Sequence, residues 1–441
     1  MSMTEIIKEK YKKKLISVDD ALKLVKSDTE VITALAAAEA KLFLRGLEKL
    51  KGKVRNVSVY TCLPMENYKF FTDPEMEGTF YHNGWFYTGP IRNAPPSINS
   101  FVPNHLHMAG TDRLLNRKPH IFVGTATPPD KFGYMSLSLS ATYEVDMVEN
   151  ADIVILEVNE KYPRTFGDVI IHIDQVHHII EADYEPPQLP IAPVSEEDKK
   201  IAEAIFEHLE DGITLQLGIG GMPNAVGKML LKLKDIGIHT EMLTEGMMEL
   251  FEAGVINGRR KTLYPNKMVC TFALGSRKLY DFIHENPGVV INRGRWVNNP
   301  YVIAQNYKQI SINSALEIDL TGQVCSESIG PDQFSGTGGQ ADTAIGAQMS
   351  QGGKSFICLY STANVKDKDG NRKTISKVVP MLKEGAKVTL HRANVDYVVT
   401  EYGCVRIKGL SVRERVKKLI SIAHPDFRDY LTEEAKRLRY I

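Results

Sequence analysis

The chain carries no net charge: its 441 residues hold 54 Lys+Arg against 54 Asp+Glu. No overall field therefore draws it to nucleic acid or to an anionic membrane. An apolar run of membrane-spanning length is missing. The opening "MSMTEIIKEKYKKKL" lacks the apolar core of a signal peptide, so a cytoplasmic protein is expected. Cysteine is scarce. Cys62, Cys270, Cys325, Cys358 and Cys404 stand far apart without Cys-x-x-Cys spacing, which argues for buried reduced thiols rather than a disulfide framework. "HLH" at 105–107 and "HH" at 177–178 come nearest to metal-ligand spacing, but no third or fourth ligand follows, and no metal is expected. Solenoid repeats and low-complexity tracts are absent too.

What remains is an ordinary soluble composition, 43% apolar and 24% charged, long enough for two or three domains. One break is visible. Pro186, Pro187, Pro190 and Pro193 fall within "DYEPPQLPIAPVSEEDKK", a stretch that cannot be helix interior or central strand. Ser195 and Asp198 then form a capping box that opens a helix. The expected organisation is a first domain over 1–185, a Pro-rich linker over 186–194 and a second domain over 195–441. Both halves alternate strand-like runs ("NVSVYT", "HIFVGTAT", "ADIVILEVN"; "ITLQLG", "DIGIHT", "GVVIN", "QISINSA", "KSFICLYS") with helical patterns, among them "VITALAAAEAKLFLRGLEKL". Such alternation predicts an α/β fold of two open, largely parallel sheets. "LEIDLTGQVCSE" reads as a hairpin, and Ser411 with Glu414 caps a further helix.

Two features carry chemistry. "TLQLGIGGMPNAVG" runs from a strand into Gly218, Gly220 and Gly221, with Pro223 at the start of a helix. Glycine amides at a strand-to-helix turn hold phosphate or a developing oxyanion; a tight turn without a ligand fits the spacing equally well. The next strand, "DIGIHT", ends at Glu241, where ligands collect beyond the carboxyl ends of parallel strands. Glu245, four residues on, falls in the first turn of the helix "EGMMELFEAGVI", where an acid complements the helix dipole. Position favours Glu241 as the chemical group.

"QLGIGGMPNAV" followed by "GIHTEM", then "QFSGTGGQAD", "DYVVTEYG" and "LISIAHPDF", with "PPDKFGYMSLS" (128–138) and "EVNEKYPRTFGD" (157–168) in the first half, resembles the acetyl-CoA hydrolase/transferase family. The likeness is closest to its 4-hydroxybutyrate and butyryl-CoA:acetate CoA-transferases. It implies two α/β domains of the CoA-transferase type and a short-chain acyl-CoA as substrate. It also implies that the Glu241 carboxylate becomes a glutamyl-CoA thioester and hands CoA to a second carboxylate, acetate above all. On this resemblance Gly218, Ile219, Gly220, Gly221 and Met222 line the CoA and oxyanion site. Gly338, Gly339 and Gln340 form a second glycine loop beside the thioester; Asn313 and Leu316 lead toward it. Lys366 answers either to a CoA phosphate or to a solvated hairpin. CoA comes and goes as substrate, no cofactor is bound permanently, and a homo-oligomer, dimer or larger, is implied. A hydrolase using the same glutamate, or a non-catalytic CoA sensor, remain the alternatives.

Three weaker signals stay open. "YHNGWFYTGP" places His82, Trp85, Phe86 and Tyr87 together, either as an aromatic substrate wall or as packing. His239, two residues before Glu241, either tunes the carboxylate or sits in the core. Basic runs such as "KYKKK" are solvated faces.

Overall fold

Short β-branched runs become strands of parallel sheets, buried on both faces and therefore almost continuously apolar. The computed structural model describes residues 2–366 and 370–441, which form two compact units. The first contains a seven-stranded sheet of β1 (Glu30–Thr33), β2 (Val57–Cys62), β3 (Phe80–Phe86), β4 (Asn99–Phe101), β5 (Ile121–Ala126), β6 (Ile153–Val158) and β7 (His178–Glu181). Their order is β7-β6-β5-β1-β2-β3-β4, and every pairing is parallel. All six residues of β5 are buried, as a central parallel strand requires.

The second unit is built on β8 (Thr214–Leu217), β9 (Gly237–Ile238), β10 (Gln309–Ser314), β11 (Lys354–Cys358), β12 (Tyr397–Thr400) and β13 (Gly403–Arg406). The order is β9-β8-β10-β11-β12-β13, parallel except for the last pair. Its apolar core joins Ile357 and Val398 of the sheet to Val416, Leu419 and Leu431 of the C-terminal helices. The capping boxes at Ser195 and Ser411 and the hairpin at Thr321-Gly322 form as the sequence predicts. The five cysteines are free thiols, four of them buried. No helix among the described residues is long and apolar enough to cross a membrane.

Two expectations are corrected. "VITALAAAEAKLFLRGLEKL" is not one helix. Val31, Ile32 and Thr33 pair in β1 with strands on both sides, and Ala36 then takes φ +49°, which breaks any continuous helix before Lys41–Gly46. Nor is 195–441 one contiguous domain carrying Glu241. Glu241–Glu245 and Lys267–Asn298 belong to the first unit, while Ile191–Thr240, Gly246–Asn266 and Asn299–Ile441 make up the second. The cause is strand pairing: Met242–Leu243 pairs with Phe272–Ala273, Phe272 bridges to Ser140, and Val289–Ile291 pairs with Phe166–Gly167.

Candidate active site

Glu241 stands three residues beyond the end of β9 and is partly buried. Its backbone carbonyl accepts two N–H groups, from Thr271 at 2.9 Å and Phe272 at 3.2 Å. Its carboxylate accepts a hydrogen bond at 2.8 Å from Nδ2 of Asn298 on Oε2. Asn298 is fully buried and ends the short helix Gly294–Val297; its own N–H bonds to the carbonyl of Gly294. That helix is seated by Gly294, whose N–H donates to the carbonyl of Thr142 at 3.0 Å and whose missing Cβ would lie 2.7 Å from the same oxygen. Thr271 is held in turn by the N–H of Ala141. The segment 140–144 thus supports both the backbone and the side chain of Glu241.

The surroundings are buried and polar. Glu144 lies 1% exposed, its carboxylate accepting the N–H of Leu35 at 2.8 Å and of Tyr143 at 3.0 Å; burial pushes its carboxyl above the usual range and these bonds oppose the rise. Cys62, the last residue of β2, has its thiol pushed well up, first by burial and then by the charges of Glu144 and Glu241. The Glu241 carboxylate is therefore within electrostatic reach of the carboxyl end of β2, where an α/β sheet places its ligands. Backbone strain collects just beyond the carboxyl ends of β1 and β2, where Ala36 and Leu63 take φ of +49° and +56°.

Glu245 does something else. It opens the helix Glu245–Glu252, and its Oε2 accepts the N–H of Ser276 at 3.2 Å, at the cap of the helix Arg277–Ile283.

In the second unit the turn after β8 is open. A Cβ on Gly218 would meet nothing within 4 Å, and Ile219 is 47% exposed. Gly220 takes φ +119° as N-cap of the helix Gly221–Leu230, and no side chain caps that helix. Pro223 is its third residue rather than its first, still within the turn where a missing N–H costs nothing. Gly221 differs from Gly218: a Cβ there would fall 2.3 Å from Asp198 Oδ2 and 2.6 Å from the Pro193 carbonyl, so this glycine is required by packing. Met222 is buried.

Around the second glycine loop, Gly338 takes φ +53° and Gly339 caps the helix Gln340–Met349. The Gln340 side chain is already engaged, accepting from Ser326 Oγ at 2.7 Å and donating to the Ser314 carbonyl at 2.8 Å. Asn313 donates to Ser311 Oγ and Thr343 Oγ1, and Leu316 gives its N–H to Cys325. Lys366 is exposed on the hairpin Thr362–Lys366/Arg372–Ser376, directly opposite Arg372.

The weaker signals separate. His82 is a core residue, its two ring nitrogens 2.8 Å from Thr61 Oγ1 and from Asn99 Oδ1; burial drops its pKa to about 4. Tyr87 joins the core of the first unit. Trp85 lies between Tyr60 and Tyr143, with ring centroids 5.6 and 4.9 Å away. His239 is buried in the second unit and passes its N–H to the carbonyl of Leu215. Among the described residues no cluster of three His, Cys, Asp or Glu side chains suits a metal ion. Asn298, Glu144 and Cys62 carried no signal in the sequence; each reaches the site through tertiary contacts alone.

The chain matches the family models of the acetyl-CoA hydrolase/transferase N-terminal domain over residues 2–191 and C-terminal domain over 275–435. It is 42% identical to a succinyl-CoA:cyclohexane-1-carboxylate CoA transferase of Geobacter metallireducens, over 98% of this chain and 97% of that one. It is 40% identical to a 4-hydroxybutyrate coenzyme A transferase of Clostridium kluyveri, over 97% and 99%. Among solved structures, RipA from Yersinia pestis superposes with a TM-score of 0.89 at 32% identity, covering 99% of this chain and 100% of that one.

Proposed function

Because the chain belongs to the acetyl-CoA hydrolase/transferase family, we propose that it moves CoA from a short-chain acyl-CoA to a free carboxylate, with Glu241 as the covalent nucleophile. The observation that carries this reading is the held carboxylate: a glutamate at the carboxyl edge of a parallel strand, pinned by two bonds to its carbonyl and one to Oε2. A carboxylate so positioned has already given up the freedom that makes it a poor nucleophile in water.

The steps balance without ATP. The Glu241 oxygen attacks the acyl carbonyl, the C–S bond breaks, and CoA thiolate leaves an acyl-glutamyl anhydride. The thiolate then attacks the glutamyl carbonyl and releases the first carboxylate, leaving glutamyl-CoA. An incoming carboxylate reverses both steps, forming the new acyl-CoA and restoring Glu241. In this reading the turn Gly218–Met222 holds the CoA thioester and offers amides to the oxyanion, the loop Gly338–Gly339 flanks it, and Lys366 meets a CoA phosphate. Gln340, engaged on both sides by protein, serves the loop's shape. Butyryl-CoA or 4-hydroxybutyryl-CoA is the donor and acetate the acceptor.

The test is borohydride trapping with butyryl-CoA followed by peptide mass spectrometry. Reduction of the thioester should mark Glu241, and Glu241→Gln should lose several orders of magnitude in turnover. In the presence of acetate, acetyl-CoA should accumulate; free CoA in its place would make the protein a hydrolase. A mark on any other residue would overturn the assignment.

A further inference from the structure

A cavity of about 290 Å3 lies in the first unit, with Trp85 in its wall. Tyr60 and Trp85 form its aromatic wall, and Asn104, Arg113, Arg117 and Glu30 its polar one. Glu30, 3% exposed, takes both arginines: Arg117 Nε donates to Oε1 at 2.5 Å and Arg113 pairs with Oε2. Arg113 is 7% exposed and its guanidinium lies over the Tyr60 ring, 4.8 Å from the centroid. Two guanidinium groups thus share one buried carboxylate.

Two donors in this lining have no acceptor. Asn104 Nδ2 and Arg113 Nε are both buried and make no hydrogen bond; Arg113 Nη2 and Glu30 Oε2, likewise buried, meet each other only as an ion pair. Orphaned buried donors are rare in native proteins, and two around one cavity call for a common acceptor. Asp112 also lines the cavity, half-buried, but neither donor reaches it. Burial and the neighbouring Arg117 lower the Arg113 pKa to about 10.

We propose that this cavity binds a free short-chain carboxylate, its oxygens taking the Asn104 and Arg113 donors and its chain lying against Tyr60 and Trp85. At about 290 Å3 the space suits a small acid, for ligand pockets begin near ~300 Å3 and a nucleotide thioester needs far more. Arginine is the side chain whose fork matches a carboxylate. Trp85 also packs on Tyr143, whose neighbour Cys62 lies in the field of Glu241, so the cavity is one aromatic layer from the nucleophile's surroundings. The choice of acid rests on the CoA-transfer reading; the anion site does not.

The protein has two tryptophans, so Trp296→Phe leaves Trp85 as the sole reporter. The experiment titrates sodium butyrate, against sodium chloride at equal ionic strength, into full-length protein carrying Trp296→Phe and Glu241→Gln. Glu241→Gln removes covalent chemistry, so failure of the CoA-transfer reading cannot mask binding. A saturable change in Trp85 emission with butyrate alone is expected, weakened at least tenfold by Arg113→Gln and at least threefold by Asn104→Ala. Arg117 stays in place to hold Glu30, and Asn104→Ala tests the site on its own should Arg113→Gln fail to fold. Superimposable butyrate and chloride curves, or a saturable response indifferent to both substitutions, would overturn the proposal. Trapping of glutamyl-CoA at Glu241 in the otherwise native protein is scored separately, so either reading can fall alone.

Discussion

Asn298→Ala isolates one interaction. The amide uses only its donor side: Nδ2 bonds to Glu241 Oε2 at 2.8 Å, while Oδ1, also buried, accepts nothing. Truncation therefore removes a single hydrogen bond to a carboxylate and strands no second partner. A bond to a charged group contributes about 1.5–3 kcal/mol, and about 1.4 kcal/mol is tenfold in rate. If the bond chiefly orients the nucleophile in the anhydride-forming step, kcat should fall about 10- to 150-fold while KM for the acyl-CoA changes little. Stability alone cannot imitate this, and Asn298→Asp separates the two. Aspartate keeps the volume at this fully buried position but sets an anion against Glu241 where a donor stood. It should cost more activity than alanine, and its melt should fall below the parent's because the added anion is buried and unpaired. The assay is acyl-CoA:acetate exchange under saturating conditions, with thermal melts alongside. A kcat for Asn298→Ala within threefold of the parent, or Asn298→Asp more active than Asn298→Ala, would refute the reasoning.

Three further outcomes are expected. Gly221→Ala drives a Cβ to 2.3 Å from Asp198 Oδ2 and should destabilise by about 1–3 kcal/mol in urea melts, whereas Gly218→Ala enters open space, melts like the parent, and shows itself only as a raised KM for acyl-CoA if the turn holds the thioester; equal melts for the two would be fatal to the distinction. His82, held near pKa 4 by burial, remains neutral in the native state where an unfolded histidine protonates near 6.5. Its contribution, about 3 kcal/mol at most, is complete above pH 6.5 and lost as pH falls toward 4, so His82→Gln should flatten the pH slope of unfolding in that window, and parallel slopes would count against it. Lys366→Ala should raise KM for butyryl-CoA a few-fold and leave butyryl-pantetheine, which lacks the nucleotide phosphates, unaffected; an equal effect on both thioesters would remove Lys366 from the phosphate.

The sheets were legible because parallel strands announce themselves as apolar β-branched runs, and "HIFVGTAT" and "ADIVILEVN" do so without competition. The capping boxes at Ser195 and Ser411 are local devices, and local devices survive folding unchanged. Residues 31–50 failed because five alanines outweighed the three β-branched residues that begin the run. Strand pairing on both sides of β1 overrode helix propensity, as tertiary context does. The glycines were legible as a class but not individually: only the packing of the folded chain separates Gly221, closed in by Asp198, from Gly218, which faces open space. Asn298 was not legible at all. Fifty-seven residues part it from Glu241, and nothing in "RWVNNP" distinguishes it from the adjacent Asn299, whose side chain merely caps the turn at Tyr301.

The pair Glu241 and Glu245 puts the same lesson to a direct test. Four residues apart, they are chemically identical, and their difference lies in what each is bonded to. Glu241 precedes the strand Met242–Leu243, and its oxygen is met by a side-chain amide that can hold a reacting carboxylate without consuming it. Glu245 begins a helix, and its Oε2 is occupied by the N–H of Ser276. Glutamine at 245 keeps that acceptor and loses only the charge at the helix N-terminus, worth about 0.3–1 kcal/mol. Glu245→Gln should therefore melt within about 1 kcal/mol of the parent and turn over within about threefold, while Glu241→Gln, an equally small change in shape, should stop the reaction. A Glu245→Gln protein as inactive as Glu241→Gln, and equally stable, would mean that the nucleophile had been assigned to the wrong carboxylate.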